Sequence, residues 1–183
     1  VKLHIGCGRT ILDGWTNLDC VALPGVDVVA DLETCATTPL PFPDDSVDEI
    51  FGSHVVEHVR NILPLMQELW RVAKPGATMT LRVPHGASDD AWEDPTHVRA
   101  FFPQSFGYYS QPYYWRADYG YRGDWQPETI IFFPSRQLPL DELVVATTTQ
   151  RNIIREMVAT LKAVKPAREP RRDLQRLPHM AFG

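Results

Sequence analysis

The sequence is poor in cysteine: Cys7, Cys20 and Cys35 are the only three in 183 residues. An odd number without metal-ligand spacing speaks against a disulfide framework or a cysteine-rich zinc site. Reduced thiols in a cytoplasmic protein are the expectation. Any apolar run long enough to span a bilayer is missing, and the opening residues read as a strand rather than a signal peptide. Excess positive charge is missing too. Lys and Arg total 18 against 23 Asp and Glu, a net charge of −5, which argues against a general nucleic-acid binder. There is no internal repeat and no Gly-Lys-Ser/Thr, so a P-loop is excluded. The expected partner is a small molecule, with neither nucleic acid nor membrane.

Proline is plentiful, with 16 residues, and implies many irregular connections. The first half alternates short apolar strands with turns: Leu3–Gly6, Trp15–Asp19, Val26–Ala30, Val47–Gly52 and Thr78–Val83. Before the last of these, Ile62, Met66, Leu69, Trp70 and Ala73 recur at helical spacing. Asn61 is placed to cap that helix, Pro64 sits in its first turn, and Lys74-Pro75-Gly76 stops it. Strands alternating with helix and turn predict an α/β domain over residues 1–164 with a mostly parallel sheet. The segments Cys7–Gly14 and Cys20–Gly25 fall short of the roughly 10–12 residues of a parallel crossover. The first strands should therefore have reduced helices, with one sheet face poorly covered near strands two and three.

Residues 85–127 are crowded with aromatic side chains, among them Trp92, Phe101, Phe106, Tyr109, Tyr114 and Trp125. So many aromatics argue against disorder, and we read the segment as a lid or substrate-binding insertion after the fifth strand. Glu128–Phe133 and Glu142–Thr147 then read as an antiparallel strand pair. Gln150–Val164 reads as an amphipathic helix that covers the bare sheet face or pairs two subunits, leaving a homodimer open. The Pro- and Arg-rich residues 165–183 read as a flexible tail.

The segment Leu3-His4-Ile5-Gly6-Cys7-Gly8 is a strand running into Gly-x-Gly, a turn at which backbone can approach a ligand closely. The next strand ends in Asp19, placed to accept hydrogen bonds from both ribose hydroxyls of a nucleoside. The following one ends in Asp31-Leu32, an acid for the adenine amino group and an apolar side chain for its ring. In an open α/β sheet all these positions share the carboxyl edge, where ligands bind. A dinucleotide fingerprint fits less well, because Ile11 stands at its third glycine and Asp19 comes too early.

These segments resemble the Rossmann-like S-adenosylmethionine (SAM)-dependent methyltransferases, and within them the small type 11-like bacterial enzymes. So do Gly14-Trp15-x-Asn17-Leu18-Asp19, Leu40-Pro41-Phe42-Pro43-Asp44-Asp45-Ser46-Val47-Asp48, Ser53-His54-Val55-Val56-Glu57-His58 and Leu69-Trp70-Arg71-Val72-x-Lys74-Pro75-Gly76-Ala77. The resemblance covers about residues 2–84. It implies SAM as cofactor and S-adenosylhomocysteine as product. It also implies that Gly6, Cys7 and Gly8 line the methionine part, that Asp19 binds ribose and Asp31 and Leu32 adenine, and that Ser53 and His54 lie beside the sulfonium. A divalent metal is conceivable but not expected.

Two polar clusters remain. His54-x-x-Glu57-His58 matches the His-x-x-Glu-His pattern of inverted zinc proteases. On a helix, His54 and His58 would share a face, with Glu57 as base and Glu128 the one suggestion for a further ligand. The alternative is that Glu57 and His58 brace the following helix. The second cluster is His85, Asp89, Asp90, Glu93, Asp94 and His97, where Asp94-Pro95-Thr96-His97 offers a base with an orienting acid, a divalent-metal site, or a solvated turn. The expected reaction is in-line methyl transfer to a hydroxyl or amine of a sugar or small metabolite. His97 is the first candidate base, with Asp94, and His54 the second. A zinc hydrolase and a non-catalytic cofactor-binding protein are the competing readings.

Overall fold

Short apolar segments near the N-terminus pair as parallel strands because each buries its side chains in one shared layer. The computed structural model describes residues 1–183. It contains β1 (Lys2–Ile5), β2 (Thr16–Asp19), β3 (Val28–Val29), β4 (Val47–Ser53), α1 (Ile62–Val72), β5 (Ala73–Pro84), α2 (Asp90–Glu93), β6 (Trp125–Pro134), α3 (Leu140–Thr149), β7 (Ile154–Ala163) and β8 (His179–Phe182). The eight strands form one sheet in the order β3-β2-β1-β4-β5-β7-β6-β8. Only β7 runs antiparallel to its neighbours. The fold is therefore the expected Rossmann-like, mostly parallel α/β sheet with an antiparallel pairing near its C-terminal end. No helix is long and apolar enough to cross a membrane.

No helix links β1 to β2 or β2 to β3. Asn17, 3% exposed, organises the connections instead. Its amide oxygen accepts from the Leu12 N–H (3.0 Å) and faces His4 Nδ1 (3.1 Å). Its Nδ2 donates to the carbonyls of Leu12 and Trp15, and its backbone N–H donates to Asp27. One buried amide thus satisfies loop groups that helix hydrogen bonds would otherwise satisfy.

One face of the sheet carries the core. Leu3, Ile5, Ile50, Met79, Leu81 and Leu161 are fully buried there, together with Leu65, Met66 and Leu69 of α1. The Trp125 indole N–H reaches the Met66 carbonyl at 2.9 Å and ties β6 to α1. On the other face, Phe51, Thr78, Thr80, Val158 and Thr160 stay only half-buried. The under-covered face thus extends from the exposed Val29 of β3 as far as β7.

Two expected elements are exchanged. Glu142–Thr147 is not a strand but part of α3, and Gln150–Val164 is not a helix but mostly β7. In α3, Leu143 and Ala146 are buried at helical spacing, and Thr147 and Thr149 hydroxyls bond carbonyls one turn back. The buried pair, rather than these bonds, outweighs the β-branched run that reads as strand. In β7, burial alternates through Met157, Ala159, Leu161 and Ala163, because the segment is wedged between β5 and β6. The helix offered above as a cover or dimer surface is thus an interior strand. Asn61 precedes α1 without capping it through its side chain, which reaches back to Glu33 instead.

In residues 165–183, Arg168 donates to both oxygens of Asp124, which is fully buried, and to Ser110 and Gln126. Strand β8 then adds in parallel beside β6.

Candidate active site

The carboxyl ends of β1, β2, β3 and β4 converge on one edge and enclose an open cleft of about 380 Å³. Gly6, Asp19, Asp31, Leu32, His54 and His58 line it. At the end of β1 the chain turns through Gly6 (φ +59°) and Gly8 (φ +53°), a region that glycine enters without steric cost. A Cβ at Gly6 would lie 2.3 Å from Val55 Cγ2, whereas one at Gly8 would meet nothing within 4 Å. The first glycine lets the β1 turn pack on the loop after β4. The second leaves backbone open for a ligand to approach. Cys7 between them points inward, 3% exposed, so only its backbone belongs to the turn.

Asp19 holds this turn in place. Its Oδ2 accepts from the Gly8 N–H at 2.8 Å and its Oδ1 from the Val21 N–H at 3.0 Å. Burial pushes its carboxyl up, but the hydrogen bonds from Gly8, Val21 and Cys20 outweigh that and hold it below the ordinary value. An ionised carboxylate has about four acceptor positions; the Gly8 and Val21 N–H groups take two of them, and a ribose diol would share the rest with Cys20. Asp31 starts a short 3-10 turn by accepting the Glu33 N–H through Oδ1 at 2.9 Å, which leaves Oδ2 uncommitted. Leu32 beside it is 7% exposed. Gly8 stands beside the cleft rather than on its wall, and the wall itself, with the Gly6 backbone, two acids and the apolar Leu32, is of a kind that fits a nucleoside.

Ser53 is the last residue of β4 and stands next to the cleft rather than on its wall. His54 follows with a left-handed backbone (φ +52°). Its Nδ1 lies 3.3 Å from Glu57 Oε1 and its Nε2 3.3 Å from Glu156 Oε2. The Glu57 carboxylate, seconded by Glu156, raises its pKa against the opposing effect of burial. The raised value keeps a proton on His54 to higher pH and so makes it less available as a base.

His97 and Asp94 lie off the cleft wall, behind His58, whose ring meets that of His97 edge-on at 4.7 Å. His97 Nδ1 faces the Ala91 carbonyl at 3.2 Å, and Asp94 Oδ2 is 3.9 Å from His97 Nε2. Asp94 bonds Thr96 instead, so the ring is oriented by Ala91 and its Nε2 stays unbonded. His54, Glu57 and His58 lie in turns rather than on a helix, and Glu128 is exposed in β6. The helical geometry of a His-x-x-Glu-His zinc protease therefore does not form.

The sequence reading missed Val55 as the partner of Gly6, Glu156 as the second carboxylate on His54, and Arg99. Its Nη2 donates to the Val59 and Arg60 carbonyls at 2.8 and 2.7 Å. All three are contacts across the fold, without a local sequence signal.

Residues 3–81 match a family model described as a methyltransferase domain. No curated protein matched the chain. Among solved structures, a SAM-dependent methyltransferase from Archaeoglobus fulgidus is similar at 17% identity and TM-score 0.59, over 88% of this chain and 85% of that one. The YcgJ protein of Bacillus subtilis is similar at 15% identity and TM-score 0.55, over 90% and 92%. A SAM-dependent methyltransferase from Aquifex aeolicus follows at 16% and 0.54, over 89% and 81%. At such identities the structures speak for the fold, while the family model covers the segment that builds the cleft. Residues 3–81 thus resemble a methyltransferase domain, and the sheet has the Rossmann-like fold seen in SAM-dependent methyltransferase structures.

Proposed function

We propose that this protein is a SAM-dependent methyltransferase that methylates a hydroxyl or amine of a sugar or small metabolite. The observation that carries the reading is a second, aromatic groove of about 460 Å³ lined by Phe102, Tyr108, Tyr109, Tyr114 and Tyr119. Arg99 lies in its wall and bonds the carbonyls of Val59 and Arg60, which also line the cofactor cleft. Groove and cleft are thus joined through one short segment. The Arg99 Nε is buried without a partner, a donor left over for an acceptor oxygen. Aromatic faces beside one fixed cation suit a small oxygenated metabolite.

SAM supplies an activated methyl, so the protein's main contribution is alignment. In our reading Gly6, Cys7 and Gly8 hold the amino-acid end through backbone, Asp19 the ribose, and Asp31 and Leu32 the base. Ser53 and His54 face the sulfonium side. Residues 85–127 close over the acceptor and exclude water. A hydroxyl acceptor needs its proton removed, and general-base help is worth about 10²–10⁴-fold. His97 serves as that base: its Nδ1–H is fixed on Ala91, which leaves a lone pair on Nε2. Asp94 adds a nearby negative charge, and His54 is the second candidate. Free thiols at Cys7, Cys20 and Cys35 support a cytoplasmic setting.

The test is methyl transfer from labelled SAM across a panel of sugars and phenolic and amino metabolites, with His97→Ala and Arg99→Ala alongside. For a hydroxyl acceptor, His97→Ala should lower kcat by about 10²-fold or more, and Arg99→Ala should raise KM. Retained kcat in His97→Ala removes it as the base. Strong SAM binding with no transfer to any acceptor would favour a binding protein.

A further inference from the structure

Behind the cofactor cleft, the protein buries a carboxylate that the methyltransferase reading does not use. Glu57 is 1% exposed, and neither of its oxygens has a hydrogen-bond partner. His54 Nδ1 approaches to 3.3 Å, but outside hydrogen-bonding geometry. The neighbouring His54 offsets part of the charge, but buried lone pairs without a hydrogen bond are costly, and a native fold keeps them where something else meets them.

Two imidazoles stand close to Glu57. A Glu57 oxygen and one nitrogen each from His58 and His97 all lie within 4.8 Å of one another. Their tautomers follow from their partners. His97 Nδ1 faces the Ala91 carbonyl, which only accepts, so Nδ1 carries the proton. His58 Nδ1 lies 2.8 Å from Thr96 Oγ1. That hydroxyl spends its own proton on Asp94 Oδ1 at 2.6 Å, so it too must accept. Each ring therefore donates through Nδ1 and keeps a lone pair on Nε2. Rings anchored in this way by a carbonyl and by a hydroxyl–carboxylate relay are in the state that metal ligation requires. The Val98 N–H donates to the Glu57 carbonyl at 2.9 Å, which fastens the two contributing segments together.

We propose that Glu57, His58 and His97 bind one divalent first-row transition cation, with zinc as the reference ion, at the junction of the post-β4 loop and the aromatic insertion. Two imidazoles with one carboxylate suit zinc, cobalt or nickel, whereas magnesium and calcium prefer oxygen ligands. Bonds of about 2.0–2.2 Å draw the three side chains closer together and pin the insertion to the rim of the cofactor cleft. His97 Nε2 cannot hold a cation and take a proton at once, so occupancy and its role as base exclude each other. The site is therefore assessed by binding rather than turnover.

The experiment titrates chelator-treated, full-length protein with zinc chloride by calorimetry, and with cobalt chloride by visible absorption. Uptake of one ion per chain is expected. His58→Ala and His97→Ala should each weaken it at least about tenfold, while replacement of the exposed His179 by Ala leaves it unchanged. Should either histidine variant fail to fold, Glu57→Gln removes a ligand and a buried charge without changing shape, and should show the same loss. No uptake by the parent protein, or uptake indifferent to these variants, overturns the site. Neither SAM nor acceptor is present, so a failure here leaves the methyltransferase reading intact, and a failure to bind SAM leaves the cation site intact.

Discussion

Individual residues divide between holding the glycine turn and setting protonation. Gly6 is the least replaceable of the first kind. Alanine there meets Val55 Cγ2 at 2.3 Å with φ at +59°. Gly6→Ala should cost about 1–3 kcal/mol from the backbone alone and weaken cofactor binding, read by thermal melting with and without S-adenosylhomocysteine. Gly8→Ala has room for its methyl in the protein, so it should affect binding more than folding. His85 belongs to the second kind. It is 5% exposed, and burial holds its pKa below the ordinary value. Its Nδ1 accepts the Ala87 N–H, as the neutral ring can. The unfolded chain therefore takes up the proton more readily than the folded one. The contribution of His85 is complete above about pH 6.5 and is lost as pH falls towards the lower folded value. Melting temperature measured from pH 7.5 down to 5.5 should fall more steeply for the parent than for His85→Gln, which keeps an acceptor for Ala87.

At the scale of elements, the N-terminal crossovers depend on side chains in place of helices. Removing the Asn17 amide orphans the Leu12 N–H and the Leu12 and Trp15 carbonyls at once. Asn17→Ala should therefore destabilise by about 2 kcal/mol or more, measured by urea unfolding, although it touches no ligand. Strands β1 to β5, helix α1 and the cleft acids are legible in the sequence because each carries a local signal: a short apolar run, helical spacing, or an acid ending a strand. Segment α3 and strand β7 are not. Ile153, Ile154, Met157, Val158 and Leu161 satisfy helical spacing and strand burial equally well, and only the slot between β5 and β6 decides between them. Val144, Val145 and the threonines after them favour strand by propensity, but the buried pair Leu143 and Ala146 fixes a helix. The site shows the same division. Asp19 and Asp31 announce themselves along the chain, whereas Glu156 on His54 and Arg99 on Val59 exist only as long-range contacts.

For the whole molecule, the Arg168–Asp124 pair fastens residues 165–183 to the insertion. Asp124 is fully buried and paired with Arg168. Arg168→Met leaves that carboxylate uncompensated and should destabilise by about 3–5 kcal/mol, with a matching drop in urea midpoint. The sheet, turn and acids all serve one claim: SAM lies across the carboxyl edge with its ribose on Asp19. Calorimetric titration of the parent and of Asp19→Ala with S-adenosylhomocysteine tests it most directly. The account predicts one molecule bound per chain, and an affinity about 10–100-fold weaker in the variant, as for loss of charge-assisted hydrogen bonds. A parent protein that takes up no nucleoside, or a variant that binds as tightly as the parent, contradicts it.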